Sequence, residues 1–135
     1  MERFLSASNM DYPTALREIQ NGRKESHWIW YIFPQLTILG KSDTATRYGL
    51  SGVDEARAFY DHPVLGARLR EITQALLLQP KRNPYDVMDS AVDAKKLRSC
   101  MTLFEIAAPE CPLFARVLEE FYNGVRDYRT LDEIL

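Results

Sequence analysis

Leu65, Leu69, Ile72 and Leu76 follow one another at spacings of four, three and four. That is the period of one apolar helix face. The same period recurs along the chain and stops each time at glycine or proline. Met1 to Ser8 reads as a short helix carrying Phe4 and Leu5. Asp11 before Pro13 then opens a second stripe, Leu16 and Ile19, which Asn21-Gly22 stops. Ser42 and Asp43 begin a short helix that Gly49 ends. Ser51 and Asp54 stand at capping-box spacing and open a helix through Tyr60. Pro63 suits the first turn of the Leu65–Leu76 helix, and Pro80 and Asn83-Pro84 break it. Leu97, Cys100, Met101 and Phe104 mark a helix from Asp93, read as its cap, to Ala108. Pro112 starts another, with Leu113, Val117, Leu118 and Phe121, and Asn123-Gly124 stops it. Thr130 with Glu133 caps a last turn. The segment from Ser26 to Pro34 shows no period-two alternation and reads as a buried helix or a buried strand. Its aromatics favour strand, but no second segment reads as a convincing strand, so it is taken as helix. The expected fold is all-α: one multihelical domain over residues 1–135, with about seven to nine short and medium helices and no sheet.

A chain of 135 residues is long enough to bury a core without metals or disulfides. Its two cysteines, Cys100 and Cys111, form neither a C-x-x-C pair nor a disulfide framework. Free thiols and no signal-peptide pattern lead us to expect a cytoplasmic protein. The longest apolar run, Trp28 to Phe33, is too short to span a bilayer, so no membrane association is expected. The net charge of -2 argues against a surface built for nucleic acid. His27 and His62 are too dispersed for a metal set, and no phosphate-loop or dinucleotide fingerprint is present. We expect no metal and no cofactor. The sequence sets no oligomeric state.

One run stands apart. Residues 22–35 read GRKESHWIWYIFPQ and hold both tryptophans. Read as a helix capped by Ser26 and ended by Pro34, the run places Arg23, Lys24, Ser26 and His27 at its start. Cationic side chains and free backbone N–H groups there suit a phosphate or carboxylate. Trp28 and Trp30 then offer faces for a planar group, and Gln35 closes the run. The same residues also suit solvated charges ahead of an aromatic core stripe. On a helix the two tryptophans face opposite ways, so at most one belongs to the core proper. His27 is the cheapest proton-transfer group in the run, although a histidine beside tryptophan often serves only as a hydrogen-bonded core residue.

Lys96, Ser99 and Thr102 form a second cluster. At i, i+3 on a helix, Lys96 and Ser99 can touch, and a desolvated lysine can activate a serine hydroxyl. The milder role is Lys96 as a further cation facing the same pocket as the aromatic run. His62 before Pro63 reads as a turn residue.

GRKESHWIWYIFPQ, Gly40-Lys41-Ser42, HPVLGARL at residues 62–69 and KLRSCMTLF at residues 96–104 occur in this order. Together they resemble the small bacterial and fungal family called domain of unknown function 1810, some members of which carry the label calpastatin. The resemblance covers nearly the whole chain. It implies an all-helical single domain and brings no particular activity with it. Cys100 stands where the family pattern usually has a second serine.

The functional expectation is a protein that binds, and could hydrolyse, a small anionic nucleotide-like ligand such as an ADP-ribose derivative. Its pocket would combine the GRKESHWIW segment with the KLRS helix. A loose similarity in layout to small all-helical N-glycosidases of ADP-ribose derivatives would give His27 a part in glycosidic cleavage, with Lys96 and Ser99 as further catalytic candidates. The ligand-binding candidates are Arg23, Lys24, Ser26, Trp28, Trp30, Gln35 and Thr102. The alternative is a non-catalytic protein-interaction module, motivated by the number of large aromatics in a small domain.

Overall fold

A nineteen-residue helix, α1 (Glu2–Gln20), opens the chain in the computed structural model, which describes residues 1–135. Its buried face runs Phe4, Ser8, Tyr12, Ala15 and Ile19 without interruption. The expected break around Asp11–Pro13 does not occur. Pro13 and Asn9 both lie on the exposed side, where water can replace the missing amide donor to the Asn9 carbonyl. The helix ends at a left-handed Gly22 (φ 84°). There the Gly22 N–H donates to Ile19 O at 2.9 Å and the Arg23 N–H to Glu18 O at 3.0 Å, a Schellman closure. The chain turns back so that residues 24–28 pass the Glu18 side chain.

The aromatic run is barely helical. Only α2 (Ile29–Ile32) forms, a single turn with Trp28 at the N-cap position and no side-chain cap. Ser26 does not cap it, because its N–H and Oγ are both bonded to Glu18. After Pro34 the chain makes one parallel bridge, Leu36 to Leu50. The Thr37 N–H donates to Leu50 O at 2.8 Å and the Leu50 N–H to Gln35 O at 2.9 Å. Gly49 allows this approach, since a Cβ there would stand 2.4 Å from Thr37 Cα. A 3-10 turn (Thr37–Leu39) and α3 (Asp43–Arg47) fill the loop, and Ser42 Oγ caps α3 as expected.

The remaining helices are α4 (Val53–Asp61), α5 (Leu65–Leu77), α6 (Pro84–Met88), α7 (Ala91–Ala107), α8 (Leu113–Tyr122) and α9 (Tyr128–Ile134). The all-helical, sheet-free expectation holds. Several caps move. Gly52, not Ser51, precedes α4, and the Ser51 N–H donates to Glu55 rather than to Asp54. Helix α5 has already ended at Leu77, and Asn83-Pro84 starts α6, with Asn83 Oδ1 accepting from the Tyr85 N–H. Ser90 caps α7 and accepts from the Asp93 N–H, so Asp93 lies in the first turn with its carboxylate free to pair elsewhere. Asp127 caps α9 by accepting from the Thr130 N–H, displacing the expected Thr130–Glu133 box.

Helix α7 is the central element and packs on α4, α6, α8 and α9. Its Leu97, Cys100, Met101 and Phe104 are fully buried. Phe4, Phe59, Phe104 and Phe114 continue the core as a chain of ring contacts with centroids 5.2, 5.7 and 5.6 Å apart. One contiguous core of 34 buried apolar residues results, so the chain has no second core on which to divide. No helix is long and apolar enough to cross a membrane.

Candidate functional site

The polar half of GRKESHWIW folds around one carboxylate. Glu18 is 5% exposed. Its Oε1 accepts from the Glu25 N–H at 2.8 Å, the Ser26 N–H at 2.9 Å and the Trp28 indole N–H at 2.9 Å. Its Oε2 accepts from the Ser26 hydroxyl at 2.6 Å. Burial alone would raise the carboxyl pKa, but these four donors outweigh it and hold the group at about 2, because they favour the charged form. Trp28, 1% exposed, is thereby fixed in the core.

The cations of the run are also partnered. Arg23 pairs with Asp89 at 3.1 Å on the surface. Lys24 is buried, with its Nζ 2.9 Å from Asp93 Oδ2 and over the Trp28 ring at 4.9 Å. Its N–H donates to Val87 O at 2.7 Å. Asp93 reaches a second cation, with Lys96 Nζ 3.9 Å from its Oδ1. Lys96 in turn sits over Trp30 at 4.9 Å. One aspartate thus joins two ammonium groups, each resting on a tryptophan. His27 is exposed and borders a small cavity of about 220 Å³ together with Lys24, Asp89 and Asp93. Two of its three acids, Asp89 and Asp93, already pair with the run's own cations, and Glu25 is the third.

A larger cleft, about 350 Å³, opens between the first half of α7 and the start of α9. Lys95, Lys96, Arg98 and Ser99 come from α7, Asp127 and Arg129 from the α9 end. Gln35, held by the Leu50 amide, and Leu39 close the third side. Lys95, Arg98 and Arg129 have no acidic oxygen within 4.0 Å. Elsewhere most arginines are satisfied by Asp, Glu or backbone oxygens: Arg3, Arg57, Arg82, Arg116 and Arg126 all form ion pairs. Arg98 Nε and Trp30 Nε1 are the buried side-chain polar atoms without a hydrogen-bond partner. Arg98 lines the cleft with its guanidinium over the Tyr122 ring at 5.9 Å, and Trp30 is the ring beneath Lys96.

Asp127 forms the buried floor, 9% exposed. Its Oδ2 accepts from Ser99 Oγ at 2.9 Å, the Thr130 N–H at 3.1 Å and Thr130 Oγ1 at 2.5 Å. Its own N–H donates to Thr102 Oγ1 at 3.0 Å, and that hydroxyl donates to Arg98 O at 2.8 Å. Ser99 therefore faces an aspartate, with Lys95 O as its other acceptor at 3.1 Å, while the Lys96 ammonium lies toward Asp93 and Trp30. Cys100 next to it is fully buried, and burial pushes its thiol well above the ordinary range. No three His, Cys, Asp or Glu side chains are grouped closely enough to hold a metal ion.

Of the residues singled out by sequence, Gln35, Lys96 and Ser99 line the cleft. Trp30 touches it through Lys96. Arg23, Lys24, Ser26, His27 and Trp28 lie on the far side of Asp93, and Thr102 is buried behind Asp127. The run and the KLRS helix meet at the Lys24–Asp93 ion pair, where Lys24, His27 and Asp93 border the smaller cavity, and again in the cleft through Gln35. Sequence reading missed Lys95, Arg98, Asp127 and Arg129. Lys95, Arg98 and Ser99 share a helix face at i, i+3 and i+4, which the α7 period already implied. Asp127 three residues before Thr130 is an N-cap spacing hidden by the competing Thr130–Glu133 match.

A family model described as protein of unknown function (DUF1810) matches residues 1–134, and the chain belongs to that family. It is also similar to the crystal structure of the conserved hypothetical protein Rv1873 from Mycobacterium tuberculosis. That likeness has 38% identity over 98% of this chain and 94% of the other, with a TM-score of 0.95. No match is found among curated proteins.

Proposed function

We propose that the chain binds a small phosphate-bearing anion of the nucleotide or sugar-phosphate class in the α7–α9 cleft. The observation that carries this reading is the convergence of Lys95, Arg98 and Arg129, none with an acidic partner, on one concave surface. Cations that line one cleft without acidic partners repel one another, and an anion relieves that repulsion while supplying acceptors for their N–H groups. A volume of about 350 Å³ is at the small end of ligand pockets. It suits a phosphate with one attached ring, so an ADP-ribose derivative would place one end inside and leave the rest on the rim. The role is binding. The Ser99 hydroxyl is committed to neighbouring oxygens, and His27 is not a cleft residue.

The protein-interaction reading has less behind it. Trp28 is internal, and Trp30 carries Lys96 on its face. A cytoplasmic location accords with two buried free thiols, and a bacterial source accords with the Mycobacterium tuberculosis relative.

Isothermal titration of ADP-ribose, AMP and inorganic phosphate into the protein tests the proposal. Saturable heats that weaken with added salt, and that fall in Lys95→Ala and Arg129→Ala, are expected. No heat at millimolar ligand would sink it.

A further inference from the structure

Asp127 is an odd floor for an anion site. Its Oδ2 is saturated by Ser99 and Thr130. Its Oδ1 accepts no hydrogen bond from the protein, yet it is not among the buried polar atoms without partners. That oxygen therefore keeps some exposure, and the cleft is the cavity that Asp127 lines. Nor does any cleft cation neutralise it, since no lysine or arginine nitrogen lies within 4.0 Å of the carboxylate. The cleft thus presents cationic walls and, at its base, a carboxylate oxygen with free acceptor capacity. A bare inorganic anion gains from the walls and is repelled by the floor. A ligand with a phosphate at one end and a hydroxyl at the other satisfies both, because a hydroxyl donates to carboxylate. Gln35 reinforces the pattern. Its side-chain amide has no partner in the protein and can both donate and accept, and its backbone is fixed by the Leu50 N–H at 2.9 Å.

We infer that Asp127 is the specificity-determining residue of this cleft and that its ligand is a phosphorylated sugar or polyol, held by phosphate on Lys95, Arg98 and Arg129 and by a hydroxyl on Asp127 Oδ1. The inference rests on the anion-binding reading above and names the substrate class of the same site. The hydroxyl end, not a stacked base, occupies the floor, because Leu39 and Val92 are the apolar side chains lining the cleft.

The test is a calorimetric comparison of ribose 5-phosphate, propyl phosphate and inorganic phosphate at one ionic strength. The wild-type protein should bind ribose 5-phosphate about tenfold tighter than propyl phosphate, the scale of one hydrogen bond to a charged group. This comparison uses no mutation and so does not depend on a variant folding. Asp127→Asn retains a cap oxygen for Thr130 and replaces the free acceptor by an N–H donor. It should sharply reduce the preference for ribose 5-phosphate over propyl phosphate, because a neutral hydrogen bond to the sugar hydroxyl is weaker than the charge-assisted one it replaces. Equal wild-type affinities for the three probes would overturn the inference while leaving anion binding intact. A folded Asp127→Asn protein, checked by circular dichroism, that keeps the ribose 5-phosphate preference would also overturn it. If none of the probes binds, the anion reading itself fails and the inference with it.

Discussion

Lys24 Nζ stands 2.9 Å from Asp93 Oδ2, and this buried contact ties the loop after α1 to the first turn of α7. It also fixes what the two neighbouring cavities contain. Lys24 is held by Asp93 on one side, and Lys96 is drawn toward the same aspartate on the other. Removing one partner of a buried pair leaves the other charge uncompensated. Lys24→Met keeps the volume and deletes the charge, leaving Asp93 with Lys96 at 3.9 Å. A loss of about 3 kcal/mol in urea unfolding is expected. Lys24→Met combined with Asp93→Asn should cost less than the sum of the two single changes.

Glu18 predicts an acid-dependent stability. Its carboxyl is held at about 2 in the fold against 4.5 for the unperturbed group. A depressed folded pKa stabilises the protein fully above the unfolded value, and the contribution fades as pH falls toward the folded one. Glu18→Gln can keep the Oε1 contacts and turn the Ser26 hydroxyl into an acceptor. It replaces charge-assisted hydrogen bonds by neutral ones, a loss of about 1–2 kcal/mol at pH 7. The stability gap between wild type and variant should therefore close between pH 4.5 and about 2. A gap that stays constant over that window would show that the charge on Glu18 is not what the loop uses.

Gly49 holds Gln35 in place indirectly. A Cβ there would meet the Thr37 backbone at 2.4 Å, so Gly49→Ala must push the two bridged segments apart. Overpacking of this kind costs about 1–3 kcal/mol. Thermal unfolding should report that loss. Affinity for ribose 5-phosphate should fall as well, because the Leu50–Gln35 hydrogen bond orients one wall of the cleft.

Thr102→Val removes the acceptor of the Asp127 N–H at nearly constant volume. Leaving that buried donor unpaired should cost about 1–3 kcal/mol. The loss should show as earlier exchange of the α9 amides, since Asp127 caps that helix.

The helical architecture was legible because amphipathic period and Gly/Pro punctuation are local. Leu65, Leu69, Ile72 and Leu76 are all buried as their spacing required. The expectation that at most one tryptophan belongs to the core also holds, with Trp28 inside and Trp30 half-buried. Helix starts were less legible, since Ser51, Asp93 and Thr130 compete with Gly52, Ser90 and Asp127 for the same short spacings. Pro13 misled because its cost depends on whether the freed carbonyl faces water. The largest revision concerns Arg23, Lys24, Ser26 and His27. The chemistry of the first three suggested a ligand, but their partners Asp89, Asp93 and Glu18 stand 66, 69 and 8 residues away, and only the fold brings them together. The unpaired cations Lys95, Arg98 and Arg129 were invisible for the same reason. Lack of a partner is a tertiary property.

Two-dimensional amide NMR of the protein titrated with ribose 5-phosphate tests the location of the site most directly. Shifts should be concentrated at Gln35, from Lys95 to Ser99 and from Asp127 to Thr130. Shifts gathered instead around Arg23 to His27, or none at saturating ligand, would contradict it.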